Sequence, residues 1–219
     1  GYELGQAHMR LSHGIHLAYC TNIHRGGDWP ETFRSLNEHT LRVRDRVSSA
    51  KPYAIGLRLG DSASRQLAQV DELDKFRAWL EKNDCYVFTI NGFPFGDFHG
   101  KRVKEQVYKP DWRTVERVEY TKRLFDILAA IAPAESGGSV STVPCSFKEF
   151  INTGEQVEAM RRNVWDVVEH IDALSEKTGK DLHLGLEPEP LCYLETTGEM
   201  IRFYRQLHDD RPGDCRLVI

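Results

Sequence analysis

Short runs of alternating apolar and polar residues recur along this chain, and a longer segment with helical spacing follows each of them. The alternation predicts five strands, at residues 15–21, 54–59, 86–91 and 139–143 and in the stretch that ends at Glu187. Apolar residues spaced by three or four positions predict helices across residues 29–47, 67–80, 112–131, 157–174 and 200–207. Gly179 stands where the fourth helix needs a left-handed residue to end, and residues 216–219 begin a sixth strand.

Regular alternation of strands with long helices indicates parallel βαβ units. A doubly wound sheet and a (β/α)8 barrel both have this order. Strands of a doubly wound sheet are covered on both faces and read as continuous apolar runs, whereas one face of these strands is polar. The residues of that face are His16, Cys20, Arg58, Thr89, Asn91, Ser141, His183 and Glu187. The pattern therefore favours an α/β fold of the TIM (β/α)8-barrel type.

The length of the chain fits only part of such a barrel. Each strand–helix unit takes about 40 residues here, so eight would need roughly 320, and typical barrels have about 250. The chain has 219 residues, which is enough for about five and a half units. We therefore expect residues 1–219 to form a single (β/α) barrel domain that is incomplete at its C-terminus, with strands six to eight beyond Ile219 or on another chain.

Composition and charge narrow the classes of partner. Charged residues make up 28% of the chain and the net charge is −4, so nothing indicates a surface for nucleic acid or an anionic membrane. No apolar run approaches the roughly 18 residues of a membrane span, and no signal-peptide core is visible. Five scattered cysteines form no CxxC pair, which disfavours structural zinc and favours reduced thiols in a cytoplasmic protein. The expected partner is a small molecule, and a homo-oligomer is left open.

The strand that ends at Glu187 carries the strongest candidate for chemistry. Its leucines face one way and its polar residues the other, and Pro188 cannot continue the ladder. In barrels of this type the chemistry takes place at the carboxyl ends of the strands. A carboxylate there can bind a hard divalent cation or exchange a proton with a substrate carbon. An ion pair with Arg58 is the structural alternative.

A long loop, residues 92–110, follows Asn91. Loops longer than about 12–15 residues without structure of their own are usually functional or disordered, and the aromatic residues of this loop give it something to bury. His99 and Lys101 supply donors for a hydroxylated or anionic ligand. We expect the loop to cover a substrate, with Asn91 at its base; an Ω-loop packed on the barrel rim is the alternative.

Further polar residues follow the first two strands. Asn22 and His24 come after the first strand, and Arg58 is near the end of the second. The same parallel order that places Glu187 at one end of a barrel places these residues there too. All three are candidates for substrate binding, although Arg58 would also serve as a structural partner of Glu187.

Several motifs of the chain together resemble a known superfamily. They are LGLEP at 184–188, YCTNIH at 19–24, NGFP at 91–94 with FHG at 98–100, and STVP at 141–144. From about Leu11 onward the chain resembles the xylose isomerase-like TIM barrels, which include sugar-phosphate isomerases and epimerases and type-IV-like AP endonucleases. The combination is most similar to the metabolite-traffic family of Ebo-type clusters. The resemblance implies that Glu187 is a divalent-metal ligand and that strands six to eight supply an Asp, a His and a second Glu.

Three hypotheses about function follow. The leading one is a metal-dependent isomerase or epimerase of a sugar-like or polyol metabolite, with Mn, Zn, Mg or Fe as the metal. In it Glu187 binds the metal and acts as the catalytic base, and the substrate is bound by Asn22, His24, Arg58, Asn91, His99 and Lys101. The alternative is a non-catalytic protein that binds or carries a small metabolite in the same pocket. An AP endonuclease would need a basic DNA-binding face, which a pI near 6.2 disfavours.

Overall fold

The computed structural model describes residues 9–48, 51–96 and 104–214. Within them, five strands form one parallel sheet in the order β1-β2-β3-β4-β5. The strands are β1 Tyr19–Cys20, β2 Tyr53–Arg58, β3 Cys85–Asn91, β4 Gly138–Thr142 and β5 Leu182–Leu186. The α-helices are α1 Trp29–Ser35, α2 Leu41–Val47, α3 Asp61–Leu67, α4 Val70–Lys82, α5 Val115–Ile131, α6 Gly154–Thr178 and α7 Thr197–Asp210.

The sheet has the strand order of a barrel wall. Each strand pairs with the next one in sequence, and the order never reverses as it does in a doubly wound sheet. The outward-facing residues are buried beneath the helices, as Leu57, Leu182 and Leu184 illustrate. The inward positions are less buried and include Gly56 and Gly185. All carboxyl ends of the strands therefore meet at one edge, where the expected site should lie.

The first strand is shorter than the alternation predicts. The prediction covered residues 15–21, but β1 contains only Tyr19–Cys20, and Ile15 is 57% exposed. The preceding segment folds back on itself instead, because the Leu17 N–H donates to the carbonyl of Met9 and Arg10 bridges His16 antiparallel. Its backbone groups are thus paired locally and are not available to β2.

Two of the expected helices are interrupted. The predicted helix 29–47 is α1 and α2 joined by a π-helical turn, Leu36–Thr40, so its apolar face does not continue in register and Val47 is 49% exposed. The predicted helix 67–80 is divided between α3 and α4, because Gln69 has an extended backbone (ψ 133°). Apolar spacing alone does not reveal either break.

The fourth predicted helix is confirmed together with its end signal. Thr153 and Gln156 form a reciprocal capping box at the start of α6. Gly179 ends the helix in the left-handed conformation (φ 69°), as predicted.

The sixth strand, predicted at residues 216–219, lies outside the described residues. In the part of the chain that the structure describes, no helix has both the length and the apolar character needed to cross a membrane.

Candidate functional site

A cleft of about 600 Å³ opens at the carboxyl ends of the strands. It is lined by Asn22, His24, Arg58, Asn91 and Glu187, together with Arg25, Glu189 and the apolar residues Ile23, Phe93 and Pro94. The cleft thus brings together every site residue predicted from the sequence that falls within the described ranges. His99 and Lys101 lie outside those ranges, and the role of each residue stays a prediction.

The strand ends explain why these residues meet. Arg58 and Asn91 are the last residues of β2 and β3, and Glu187 directly follows β5. Asn22 belongs to a 3-10 turn, Thr21–Ile23, that follows β1. That turn is tied to β2 because the Arg58 N–H donates to Thr21 Oγ1 at 2.8 Å. Parallel strands in sequential order therefore place all of these groups at one edge.

Glu187 presents its carboxylate to the solvent of the cleft. The residue is exposed, and its backbone N–H donates to the carbonyl of Thr142 across the sheet at 3.4 Å. Among the described residues neither Glu187 nor Arg58 forms an ion pair. The described contacts therefore do not include the ion pair between Arg58 and Glu187 that was the structural alternative.

A second carboxyl group, that of Glu189, lies on the same wall. Glu189 is half-buried, and burial first and the charge of Glu187 second raise its pKa. The Cys192 thiol lies 4.0 Å from Glu189 Oε2. Alternation places Glu189 on the same face as Glu187, so the sequence offered a signal for it, but the flanking prolines obscured the register.

The wall behind Glu189 is apolar and aromatic. The Tyr108 ring stacks on Phe93 at a centroid distance of 5.6 Å and on Phe147 at 5.4 Å. Burial is the main cause that raises the pKa of Tyr108 to about 12 and that of Cys192 to about 11. Cys192 is therefore a protonated thiol at neutral pH, and thiolate chemistry is not available to it.

The side-chain amide of Asn91 forms a hydrogen bond through its oxygen atom. Its Oδ1 accepts the Phe93 N–H at 2.8 Å, which closes the turn after β3. Its Nδ2 makes no hydrogen bond to a described residue, so the amide group is available to a ligand acceptor.

Arg117 supports the base of the long loop from below. Its Nη1 donates to the carbonyl of Gly92 and its Nε to the carbonyl of Pro110, both at 2.9 Å. The side chain is fully buried, and burial lowers the pKa of Arg117 to about 10. Both ends of the segment 92–110 are thus fixed by one guanidinium group. Nothing in the sequence pattern of α5 marks this residue as buried.

His24 lies between two other rings. Its Nε2 is 2.8 Å from Tyr19 Oη, and its ring stacks on His39 at a centroid distance of 4.8 Å. Burial first and His39 second lower the pKa of His24. Both causes favour the neutral imidazole over the imidazolium.

Two carboxylates line the cleft, those of Glu187 and Glu189. Glu187 and Glu189 supply the oxygen ligands that hard cations prefer. Within residues 9–48, 51–96 and 104–214, however, no group of three or more His, Cys, Asp or Glu side chains is placed to hold a metal ion. A complete site would need further ligands.

Comparisons with known proteins identify the fold. Neither a family model nor a curated protein matches the chain. The IolI protein with a bound zinc atom is 15% identical, with a TM-score of 0.44, over 77% of this chain and 52% of that chain. A xylose isomerase domain protein from Planctomyces limnophilus is 16% identical, with a TM-score of 0.50, over 78% of this chain and 55% of that chain. The 3-keto-D-glucoside 4-epimerase YcjR from E. coli is 15% identical, with a TM-score of 0.42, over 78% of this chain and 60% of that chain.

The chain thus spans about half the length of the solved structures it matches. Its sequential parallel strands agree with the similarity to the xylose isomerase domain protein. The chain has the α/β fold of the xylose isomerase-like TIM barrels.

Proposed function

We propose that this protein is an isomerase or epimerase of a small sugar-like or polyol metabolite, with Glu187 as the central group of its site. One observation carries the proposal. Residues predicted independently at the ends of β1, β2, β3 and β5 converge on a single cleft of about 600 Å³. That volume is in the range of small-molecule sites, which are about 300–1,000 Å³.

The distribution of charge in the cleft suits a ligand with several oxygens. Arg25 and Arg58 contribute cationic donors, and Glu187 and Glu189 contribute anionic acceptors. Asn91 adds an amide donor. Groups of both signs support the binding of hydroxyl groups, which both donate and accept hydrogen bonds, and the cationic and amide donors support the binding of carbonyl oxygens, which accept them.

The proposed isomerisation or epimerisation begins by removal of a proton from a carbon next to a carbonyl group. In the proposal Glu187 takes that proton and leaves an enediol. Isomerisation returns the proton to the neighbouring carbon while the hydroxyl proton passes to the former carbonyl oxygen; epimerisation needs a second acid, on the opposite face, to protonate the same carbon, and neither route has net oxidation. Arg58 and Asn91 orient the ligand oxygens. The segment 92–110, with His99 and Lys101, would cover the ligand.

A divalent cation, Mn, Zn, Mg or Fe, forms part of the proposal, with Glu187 as a ligand. When bound, it would polarise a carbonyl or hydroxyl oxygen and so make the neighbouring C–H group more acidic. Glu187 and Glu189 are the ligands that the described residues offer. Among the described residues no third ligand is placed beside them.

Exchange with solvent deuterium tests the proposed reaction on any sugar that has a hydrogen next to its carbonyl group. The protein is incubated in D2O with individual aldoses and ketoses, with each of the four cations in turn, and followed by proton NMR. A substrate would lose the signal of that hydrogen. Glu187→Gln keeps the size of the side chain but removes the base, so its exchange rate should fall by about 10²–10⁴-fold.

A matched control separates this effect from general damage. Glu176 is an exposed glutamate of α6 that does not line the cleft, and Glu176→Gln should exchange like the wild type. Undiminished exchange in Glu187→Gln would contradict the role of Glu187. Sugar binding by the wild type without any exchange would instead favour the non-catalytic binding protein.

A further inference from the structure

The His24 imidazole is held at one edge and on one face. Tyr19 Oη lies 2.8 Å from Nε2 at the edge, and the His39 ring lies nearly parallel to the imidazole, with an interplanar angle of 16°. His39 belongs to the π-helical turn Leu36–Thr40, and such turns frequently occur at functional sites. A ring that lines the cleft is therefore fixed in orientation by two residues that have no role in the proposed chemistry.

Either the Tyr19 hydroxyl or an Nε2–H group of His24 could donate in this hydrogen bond, depending on the tautomer of the imidazole. The geometry favours the hydroxyl as the donor, because Tyr19 Oη makes no other hydrogen bond to a described residue and a phenol that only accepted would leave its O–H group without a protein acceptor. Burial first, and Cys20 second, raise the pKa of Tyr19, so the phenol keeps its proton. Nε2 of His24 is then the acceptor, and a neutral ring must carry its proton on Nδ1.

The other nitrogen of His24 is left for a ligand. Nδ1 makes no hydrogen bond to a described residue, and His24 is only partly buried where it lines the cleft. His39 disfavours a positive charge on its stacked neighbour, as does burial. Arg25 and Arg58 line the same cleft and already supply cationic donors. An N–H donor on a neutral His24 would differ from these arginines because it brings no positive charge to the ligand.

We propose that Tyr19 is a positioning residue, which holds His24 as a neutral imidazole whose Nδ1–H group is the hydrogen-bond donor for an uncharged hydroxyl or carbonyl oxygen of the ligand. The use of that donor rests on the proposed function. The arrangement itself does not, because the contacts that fix it are made within the chain.

The nitrogen chemical shifts of His24 test the arrangement. Long-range proton–nitrogen NMR spectra of protein labelled with 15N-histidine distinguish a protonated from an unprotonated ring nitrogen, and the His24→Gln variant assigns the signals. At neutral pH the wild type should show a protonated Nδ1 and an unprotonated Nε2. In Tyr19→Phe, which removes only the hydroxyl, the nitrogen shifts should move towards the opposite tautomer.

Two further variants make the result specific. The ring of Tyr53 lies 6.2 Å from that of Tyr19, centroid to centroid, but its hydroxyl forms no hydrogen bond to His24. Tyr53→Phe removes that hydroxyl, and the nitrogen shifts of His24 in this variant should match those of the wild type. His39→Ala keeps Tyr19 and should keep the tautomer. A protonated Nε2 in the wild type, or identical His24 shifts in Tyr19→Phe, would overturn the proposal. Neither outcome bears on Glu187, and a failure of Glu187 to support exchange or bind metal would leave the tautomer unchanged.

Discussion

Glu187 and Glu189 have different surroundings although a single proline separates them. Glu187 is exposed at the cleft, whereas Glu189 is half-buried and its pKa is raised by burial and by the charge of its neighbour. An exposed carboxylate keeps access to both solvent and ligand, while a half-buried one is costlier to ionise. At the scale of single residues, this difference is why Glu187 is assigned the exchange of protons and Glu189 is not.

Gly92 sets how closely the end of β3 can approach its neighbours. A Cβ atom at this position would lie 2.8 Å from Leu124 Cδ1 and 3.0 Å from the carbonyl oxygen of Ser141. Because the oxygen belongs to the backbone of β4, it cannot move aside cheaply. Gly92→Ala should therefore lower the free energy of unfolding by about 1–3 kcal/mol and displace the Asn91 turn.

Chemical denaturation of Gly92→Ala beside Gly96→Ala measures this effect. A Cβ at Gly96 would meet no atom within 4 Å, so Gly96→Ala should leave stability close to that of the wild type. Equal stability of the two variants would show that the contacts at Gly92 relax without cost.

At the scale of elements, the strands were easier to predict than the helices. β2, β3 and β4 begin or end within one residue of the predicted bounds, because a strand in this sheet has one face under the helices and one face open. β1 differs because the local pairing of Leu17 with Met9 removes its first half from the sheet. The helix breaks at Leu36–Thr40 and Gln69 depend on backbone conformation, which apolar spacing does not encode.

Strand order explains which residues of the cleft the sequence could predict and which it could not. Asn22, Arg58, Asn91 and Glu187 are brought together by strand order alone, so the sequence was sufficient to find them. The partners of His24 are not predictable in this way. His39 reaches it from a different helical segment, and only the tertiary packing of the π-turn brings the two rings into contact.

Arg117 makes α5 the support of the long loop. Its guanidinium group donates to the carbonyls of Gly92 and Pro110, at the two ends of the segment. Arg117→Lys keeps the charge but loses the planar fork that reaches both carbonyls. One buried acceptor is then left unpaired, and stability should fall by about 1–3 kcal/mol.

The control for this variant is Arg162→Lys, at an exposed arginine of α6. Thermal unfolding should be shifted to lower temperature in Arg117→Lys and unchanged in Arg162→Lys. If both variants unfold like the wild type, the two hydrogen bonds of Arg117 do not stabilise the base of the loop.

At the scale of the whole molecule, the described sheet has five strands of an eight-stranded barrel type, and the chain spans about half the length of the solved structures it matches. The cleft nonetheless already contains groups from the ends of four of its five strands. We propose that these groups surround a divalent-metal site that depends on Glu187.

Elemental analysis tests that claim most directly. Wild-type protein, Glu187→Ala and the control Glu176→Ala are purified without chelator, and their manganese, zinc, magnesium and iron contents are measured. We expect about one metal ion per chain in the wild type and the control, and a loss of most of it in Glu187→Ala, because the substitution removes one of the oxygen ligands of the proposed site. Absence of metal from all three proteins, or full retention in Glu187→Ala, would contradict the account.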